Sequence, residues 1–283
     1  MCPPIKHGPL HINPYTTLVR NYGDFFESLS NALLQFILAF EGFFRSLSWP
    51  WVAGVAALLG WLFTRRVFFA LGMGFAVWLI EALGLWDKGM QTLALVLASV
   101  VISVVLGLPL GILMGRSDRF RGVMLPILDA MQTMPSFVYL IPALLLFGLG
   151  KVPALIATVI YAVPPMIRLT DLGLRLVSRE VVEAAEAFGA TSWQRLFKVE
   201  LPLALPNLMA GVNQTTMMAL AMVVIASMIG ARGLGEEVLL GIQRLDVGRG
   251  AEAGVAIVAL AIVMDRLTQA AGQRVMRRYR EEA

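Results

Sequence analysis

The sequence predicts an all-α polytopic membrane protein of about seven helices, with an additional amphipathic helix near the N-terminus. Of its 283 residues, 58% are hydrophobic and 15% are charged, whereas ordinary soluble domains carry about 25% charged residues. The mean hydropathy is +0.75. Several apolar runs also approach or exceed the roughly 20 residues that cross a bilayer core as a helix.

Seven apolar stretches are candidates for transmembrane helices. They are residues 50–64, 67–86, 90–115, 123–149, 153–170, 207–230 and 251–266. Residues 25–48 alternate apolar faces with charged side chains, a pattern typical of a helix at the membrane interface. The chain is therefore predicted to divide into an extracytoplasmic N-terminal region 1–49, a transmembrane domain 50–270 and a basic tail 271–283.

The distribution of basic residues predicts the orientation of the chain. The loops at 65–66, 116–121 and 168–203 and the tail from residue 266 hold 15 of the 23 Lys and Arg residues. Because cytoplasmic loops carry the excess of basic residues, we expect the N-terminus outside and the C-terminus inside. The net charge of +4 has the same explanation, so it does not indicate a nucleic-acid partner.

Small residues and prolines mark two kinds of feature inside the predicted spans. Gly107, Gly111 and Gly115 form a row on one helical face, which favours close packing of another helix. Prolines interrupt the later spans and free backbone carbonyls that need partners in protein or water. These prolines are Pro135, Pro142, Pro164 and Pro165. They indicate either a cavity or hinge, or a scaffold that is merely kinked.

A polar stretch, residues 178–203, interrupts the apolar sequence and predicts two short amphipathic helices. Ser178 is placed to cap a helix that begins at Arg179, with acidic residues near its positive end. Gly189 supplies the backbone freedom that a helix C-terminus commonly uses. The first helix is therefore expected to end at a glycine corner.

A second helix is predicted beyond this corner. Thr191 and Gln194 have the spacing of a capping box, and Pro202 is expected to help end the helix. The apolar face includes Trp193 and Phe197, and aromatic anchors of this kind carry much of the energy of protein interfaces. The pattern favours a docking element; the alternative is that the helix packs on its own membrane domain.

Signatures of an enzyme or of a nucleotide site are missing from the sequence. The Gly-Lys pair at 150–151 has Leu145 and Val152 where a phosphate-binding loop needs glycine and Ser or Thr. HExxH and GxSxG patterns are also absent. We therefore predict no catalytic residue and no cofactor bound by this chain. We also expect no metal site, although His7 and His11 lie four residues apart.

The stretch EAAEAFGATSWQRLFKVELP, residues 183–202, resembles the EAA signature of permeases in binding-protein-dependent ABC importers. Glu-Ala-Ala, the glycine and the closing Leu-Pro have the spacing of that signature, with Val199 where isoleucine is usual. Other segments resemble the glycine betaine/proline betaine/choline branch. Among them are TLALVLASVVISVVLGLPLGI (92–112), LDAMQTMPSFVYLIP (128–142) and MVVIASMIGARGLG (222–235).

This resemblance implies a type I ABC importer (MetI-like) transmembrane domain in a bacterial inner membrane. It implies a second copy of the chain, two cytoplasmic ATPase subunits that bind ATP and Mg²⁺, and an extracytoplasmic substrate-binding protein. Segment 178–203 would dock on the ATPase, and we expect Gly189→Asp to uncouple uptake while the protein stays inserted. The implied coupling residues are Glu183, Ala184, Ala185, Phe188, Gly189, Trp193, Leu196, Phe197, Leu201 and Pro202.

Aromatic and polar residues near the prolines are candidates for the translocation path. A methylammonium cation cannot donate a conventional N–H hydrogen bond, so aromatic faces are its natural partners. The candidates are Asp129, Gln132, Phe137, Tyr139, Tyr161, Asn213 and Gln214. Asp129 either balances the cation or pairs with an arginine such as Arg168, and the aromatic residues either line the path or belong to the core.

Two points stay open at the level of sequence. Residues 231–250 form either a short reentrant or gate helix that meets the binding protein, or a solvated connector. The function is either ATP-driven import of quaternary ammonium osmoprotectants, import of another solute such as an amino acid, or passive conduction through an osmotic channel.

Overall fold

The computed structural model describes residues 14–281, with side chains for 23–274, and these residues form helices and connecting turns. The first four helices are α1 (Pro14–Ser46), α2 (Trp49–Thr64), α3 (Val67–Ala82) and α4 (Trp86–Arg116). Next come α5 (Asp118–Thr133), a 3₁₀ turn (Ser136–Tyr139), α6 (Leu140–Phe147) and α7 (Lys151–Arg175). The predicted all-α fold is confirmed.

The remaining chain begins with α8 (Arg179–Ala187) and α9 (Ser192–Arg195), which lie in segment 178–203. A π-helical turn (Leu196–Glu200) joins α9 to α10 (Leu201–Ala221). The last elements are α11 (Val223–Ser227), α12 (Leu234–Arg244) and α13 (Val247–Glu281). Helix α13 passes residue 270 without a break, so the predicted tail 271–283 begins inside a helix.

Within the described residues, three helices are long and apolar enough to cross a membrane: Trp86–Arg116, Lys151–Arg175 and Val247–Arg274. Two bent helix pairs raise this number to as many as five if each pair is one span. Gly23–Ser46 and Trp49–Thr64 meet at 94°, and Asp118–Thr133 and Ser136–Phe147 meet at 109°. Each of the seven predicted stretches lies on helices, but length and composition identify only three to five spans among the described residues.

The predicted span 123–149 is not one straight helix, because the chain turns sharply before Pro135. A residue that precedes proline is driven out of the helical region, and Met134 accordingly has the extended values φ −69° and ψ 135°. The predicted span 207–230 is also divided, since α10 ends at Ala221 and α11 begins at Val223.

Helix α1 is more than the interfacial helix predicted over 25–48. One of its faces packs against α4, α6 and α7, and Ile37 on that face is fully buried. Glu41 is also buried and forms an ion pair with Lys151 at the start of α7. The other face exposes Phe25 and Phe43. Helix α1 is therefore an amphipathic element that is docked on the bundle.

The centre of the molecule is the packing of α4 on α7 and of α7 on α10. The glycine row on α4 faces α7, where a β-carbon at Gly107 would lie 2.8 Å from Met166 Cβ. At Gly111 it would lie 2.5 Å from Thr170 Cβ and 2.7 Å from the Ile167 carbonyl oxygen. The two helices approach this closely because glycine has no side chain.

Gly111→Ala should therefore destabilise the bundle by about 1–3 kcal/mol, the usual cost of overpacking a core. The added methyl group meets backbone as well as side chain, so rotamer changes alone cannot relieve the clash. Thermal unfolding of the detergent-solubilised protein measures the effect. The matched control is Gly54→Ala on α2, where a β-carbon has no neighbour within 4 Å. Equal melting temperatures for the two variants would contradict this packing.

Candidate functional site

Segment 178–203 turns at Gly189, as the sequence predicts. Gly189 has a left-handed φ of +79°, which glycine adopts without steric cost. Its N–H donates to the Glu186 carbonyl at 2.9 Å, and the Ala190 N–H donates to the Ala185 carbonyl at 3.0 Å. These two bonds are the Schellman arrangement that satisfies the last carbonyls of a helix. The corner between α8 and α9 is thus a fixed backbone structure.

The two predicted helix caps have different outcomes. The capping box is present: the Gln194 N–H donates to Thr191 Oγ1 at 3.3 Å, and the Thr191 N–H donates to Gln194 Oε1 at 2.9 Å. The prediction that Ser178 caps α8 is wrong, since its side chain makes no capping hydrogen bond. Within α8, Arg179 Nε donates to Glu183 Oε1 at 2.8 Å, one turn further along.

The chain remains helical from Ser192 to Ala221 through the π turn at Leu196–Glu200. The expectation that Pro202 helps end the second helix is therefore wrong. Proline lacks an N–H and its ring clashes with the carbonyl four residues earlier, and the wider π turn directly before it changes this local hydrogen-bond pattern. A single helical run thus joins the second half of segment 178–203 to α10.

Three aromatic side chains of segment 178–203 are exposed. Phe188 is 93% exposed, Trp193 68% and Phe197 59%. The rings of Trp193 and Phe197 stack with centroids 5.7 Å apart and planes 11° apart. We call Phe188, Trp193 and Phe197 the aromatic face. The second helix packs on its own membrane domain through Leu196, but the rings of Trp193 and Phe197 stay exposed.

Leu196 differs from its aromatic neighbours because it is only 1% exposed. It packs in a cluster with Leu174 of α7 and with Ala204 and Leu208 of α10. Leu196 therefore anchors the segment to the bundle and offers no surface for docking. The other members of the predicted set vary: Glu183 and Ala184 are exposed, whereas Ala185, Leu201 and Pro202 are half-buried.

A charged network that the sequence prediction missed ties segment 178–203 to the end of α4. Arg195 forms ion pairs with Glu186 of α8 and with Glu200, whose Oε1 lies 2.7 Å from Arg195 Nε. Arg116 Nη2 lies 3.2 Å from Glu200 Oε2 and donates to the Ser192 carbonyl at 3.0 Å. These contacts fix α8 and α9 relative to each other and to α4.

A second charged cluster holds α5 against α7, just before the chain enters α8. Asp171 is buried; its Oδ2 lies 3.0 Å from Arg121 Nε and its Oδ1 lies 2.8 Å from Arg175 Nε. Arg175 also donates to Asp118 at 2.7 Å and to the Met114 carbonyl at 3.1 Å. Ends of α4, α5 and α7 therefore meet at one place.

The candidate path residues fall into separate groups. Asp129 is 65% exposed and pairs with Arg168, one of the two roles predicted for it. The rings of Tyr139 and Tyr161 lie 6.1 Å apart. Tyr139 is buried and its hydroxyl donates to the Met131 carbonyl, so it belongs to the core.

The other path candidates lie on three elements. Gln132 and Phe137 are exposed on α5 and the 3₁₀ turn that follows it. Asn213 and Gln214 lie on α10, where Gln214 is exposed and Asn213 is half-buried. Asn213 Oδ1 is buried without a hydrogen-bond partner among the described residues.

Residues 231–250 form α12 and a tight turn into α13 rather than a solvated connector. Glu237 of α12 is buried, and its carboxylate lies 2.5 Å from Arg249 Nη2 and 3.3 Å from Lys88 Nζ. The Leu234 N–H donates to Thr92 Oγ1 at 2.8 Å. A β-carbon at Gly241 would lie 2.7 Å from Gly250 Cα. The segment is therefore packed on α4 and α13.

Burial disfavours the charged form of Glu237, but hydrogen bonds from Arg249 and Lys88 outweigh burial and lower its pKa below the ordinary value. A lowered pKa in the folded protein adds to the free energy of unfolding at pH values above the ordinary pKa of glutamate. This stability is lost as the pH falls through the lower pKa of Glu237 in the folded protein. Acidification should therefore loosen the contact of α12 with α4 and α13.

Glu237→Gln should lower stability at neutral pH by about 2 kcal/mol, because the charge-assisted hydrogen bonds are lost. The difference from wild type should shrink as pH falls below the ordinary glutamate range. Melting temperatures measured across pH 3–8 test this pH dependence. The exposed Glu252 on α13 supplies the control variant Glu252→Gln. A pH-independent difference for Glu237→Gln would contradict the proposed cause.

Comparison with known proteins places this arrangement among transport proteins. The profile of the family described as "Binding-protein-dependent transport system inner membrane component" matches residues 107–277. The glycine betaine transport system permease protein OpuAB of Bacillus subtilis (strain 168) is 49% identical over 89% of this chain and 89% of its own length. The glycine betaine/proline betaine transport system permease protein ProW of Escherichia coli (strain K12) is 47% identical over 90% of this chain and 72% of its own length.

A solved structure of the MetNI methionine ABC transporter in an inward-facing conformation has a similar fold. The TM-score is 0.58 at 26% identity, over 69% of this chain and 95% of that one. The family match, the high identity to named permeases and the shared fold all point to the same kind of protein. This chain belongs to the family of binding-protein-dependent transport system inner membrane components, and it is a multi-pass permease component of an ABC importer.

Proposed function

We propose that this permease imports glycine betaine and related quaternary ammonium osmoprotectants, such as choline or proline betaine. Relatives that are 47–50% identical carry the names of glycine betaine or glycine betaine/proline betaine permeases. A relative from Listeria monocytogenes at 47% identity is named a glycine betaine/carnitine permease. These names favour a methylated ammonium solute over the amino acid that the sequence alone left open.

The helical run from Ser192 to Ala221 is the observation that carries the mechanism. The aromatic face docks on a separate cytoplasmic ATPase subunit, which binds ATP and Mg²⁺. Closure of two such subunits pulls on α9, and the movement passes along the helical run into α10. Since α10 packs on α4 and α7, the result is a rigid-body movement of packed helices, a common form of domain movement.

A second copy of the chain completes the translocation path. Helix α5 exposes Asp129, Gln132 and Thr133, and polar side chains at membrane depth face protein or water rather than lipid. Facing copies of α5 would enclose these groups in an aqueous path. Because Arg168 already pairs with Asp129, the aromatic ring of Phe137 is the better partner for a methylammonium cation.

The orientation follows from the basic residues, with the N-terminus outside and segment 178–203 inside. An extracytoplasmic binding protein then delivers the solute on the side of α12. The packed turn between α12 and α13 gives that protein a fixed surface, and its exposed side chains Ile242, Leu245 and Val247 are apolar. Surfaces of this kind mark interaction sites in many proteins.

Competitive uptake into proteoliposomes tests the substrate class. The permease is reconstituted with its ATPase and binding protein, and labelled glycine betaine competes with unlabelled choline, carnitine, proline betaine and methionine. We expect competition by the methylated solutes and none by methionine. Competition by methionine alone would contradict the proposal. Uptake without the ATPase would instead identify a passive osmotic channel.

A further inference from the structure

An apolar cavity of about 470 Å³ lies between α2, α3, α4, α10 and α13. This volume is within the roughly 300–1,000 Å³ typical of ligand sites. Among its lining residues, only Trp86 and Thr268 carry a polar side-chain atom. The Thr268 hydroxyl donates to the Met264 carbonyl of its own helix at 2.7 Å. Water in a cavity needs several polar partners, so an apolar occupant suits this cavity better.

The lining residues of the cavity run along the helices. Its lining residues on α13 recur on one helical face from Leu260 to Ala271, and those on α4 recur from Trp86 to Leu97. Each set covers about 16 Å at the helical rise of roughly 1.5 Å per residue. This length is about half of the roughly 30 Å thickness of a bilayer core. The cavity is therefore as long as the acyl region of one leaflet.

A single hydrocarbon chain matches both the apolar lining of the cavity and its length along the helices.

The cavity also has a lateral opening. An adjoining pocket of about 410 Å³ lies at the elbow between α1 and α2, and both pockets are lined by Phe44, Val52 and Val55. The surface around the elbow exposes Phe43 and Trp51. An acyl chain can therefore enter sideways from the bilayer without crossing a polar surface.

We propose that this cavity holds one acyl chain of a membrane phospholipid as a built-in part of the fold. Met209 and Val212 of α10 contribute to its wall, so the bound chain contacts the helix that continues from segment 178–203. The proposal requires only that the chain spans a membrane and is independent of the transported solute.

Photo-methionine, a diazirine analogue of methionine, tests this occupant in the full-length protein. Met90 and Met264 line the cavity and are buried, whereas Met228 is exposed and lies elsewhere. The labelled protein is reconstituted in phosphatidylcholine nanodiscs, transferred to detergent to remove loosely held lipid, and illuminated. Peptide mass spectrometry should find phosphatidylcholine adducts on Met90 or Met264 and few on Met228.

Cavity-filling variants supply the control. Ala56→Phe and Ala271→Phe place a ring in the cavity and should reduce the adducts at least about tenfold, because the ring displaces several buried methylene groups. Leu58 lies on the same helix as Ala56 but on its exposed face, so Leu58→Phe should leave the number of lipid adducts unchanged. Cross-links to a second copy or to residues 1–13, equal lipid adducts on Met228, or no adducts in the wild-type protein would each overturn the proposal.

Discussion

Gly189→Val should abolish most ATP-driven uptake while leaving the permease folded and inserted. Gly189 has a φ of +79°, and a β-branched residue in that region is strained by about 1–3 kcal/mol. Relief of the strain would break the hydrogen bonds that fix the corner and would redirect α8 relative to the aromatic face. An energy of this size corresponds to a roughly 5- to 150-fold loss of coupling. Uptake and ATP hydrolysis by reconstituted complexes measure that coupling.

Two further substitutions separate backbone strain from charge at the same position. Asn tolerates the left-handed region better than other non-glycine residues, so Gly189→Asn should retain much of the uptake. Gly189→Asp has a similar shape but places a carboxylate beside the aromatic face, so its uptake should be lower than that of the Asn variant. A β-carbon at Gly189 has no neighbour within 4 Å. Equal activity of the Val and Asn variants would therefore contradict the backbone argument.

Replacement of both Trp193 and Phe197 by serine should weaken ATPase binding at least about tenfold. Buried aromatic anchors at interfaces commonly contribute about 2 kcal/mol or more, and a tenfold change in affinity corresponds to about 1.4 kcal/mol. The permease fold should be little changed, since both rings are exposed in the absence of a partner. Binding of purified ATPase to the permease in nanodiscs measures the affinity.

Phe25→Ser is the control for this double variant. Phe25 is similarly exposed, but it lies on α1, outside segment 178–203, and its ring contacts that of Phe26. It should therefore leave ATPase binding intact. Equal losses in both proteins, or full binding by the double variant, would show that the aromatic face is not the docking surface.

The local structure of segment 178–203 was largely predictable from its sequence. Thr191 and Gln194 form the predicted capping box, and Gly189 forms the predicted corner. Both features depend on residues within a few positions of each other, so short-range rules describe them. Ser178 is the local exception, because its residue type permits a cap that the structure does not form.

The connection of this segment to the bundle was not predictable in the same way. Arg116 and Glu200 are 84 positions apart, and only the packing of α4 on α7 and α10 brings them together. Leu196 lies at helical spacing beside Trp193 and Phe197 on the predicted apolar face, yet contacts with other helices bury it. Pro202 is a helix breaker by residue type, but the π turn before it allows the helix to continue.

Helix boundaries in the membrane region also depend partly on local sequence and partly on tertiary contacts. Apolar length alone merges residues 123–149 into one span, although Pro135 marks the place where the chain bends. Hydropathy reports how apolar a segment is, but the direction of each helix depends on its neighbours. The buried pair of Glu41 with Lys151 shows that an amphipathic helix can dock on a bundle through charges as well as apolar side chains.

Site-specific cross-linking at Phe197 tests most directly whether segment 178–203 is driven by an ATPase. Benzoylphenylalanine replaces Phe197 in the full importer complex, and the control carries it at Phe75, an exposed position on α3. We predict that position 197 cross-links to the ATPase subunit, with a yield that changes between the nucleotide-free and ATP-bound states, and that position 75 does not. Cross-links from position 197 only to its own chain or to lipid would contradict the coupling mechanism.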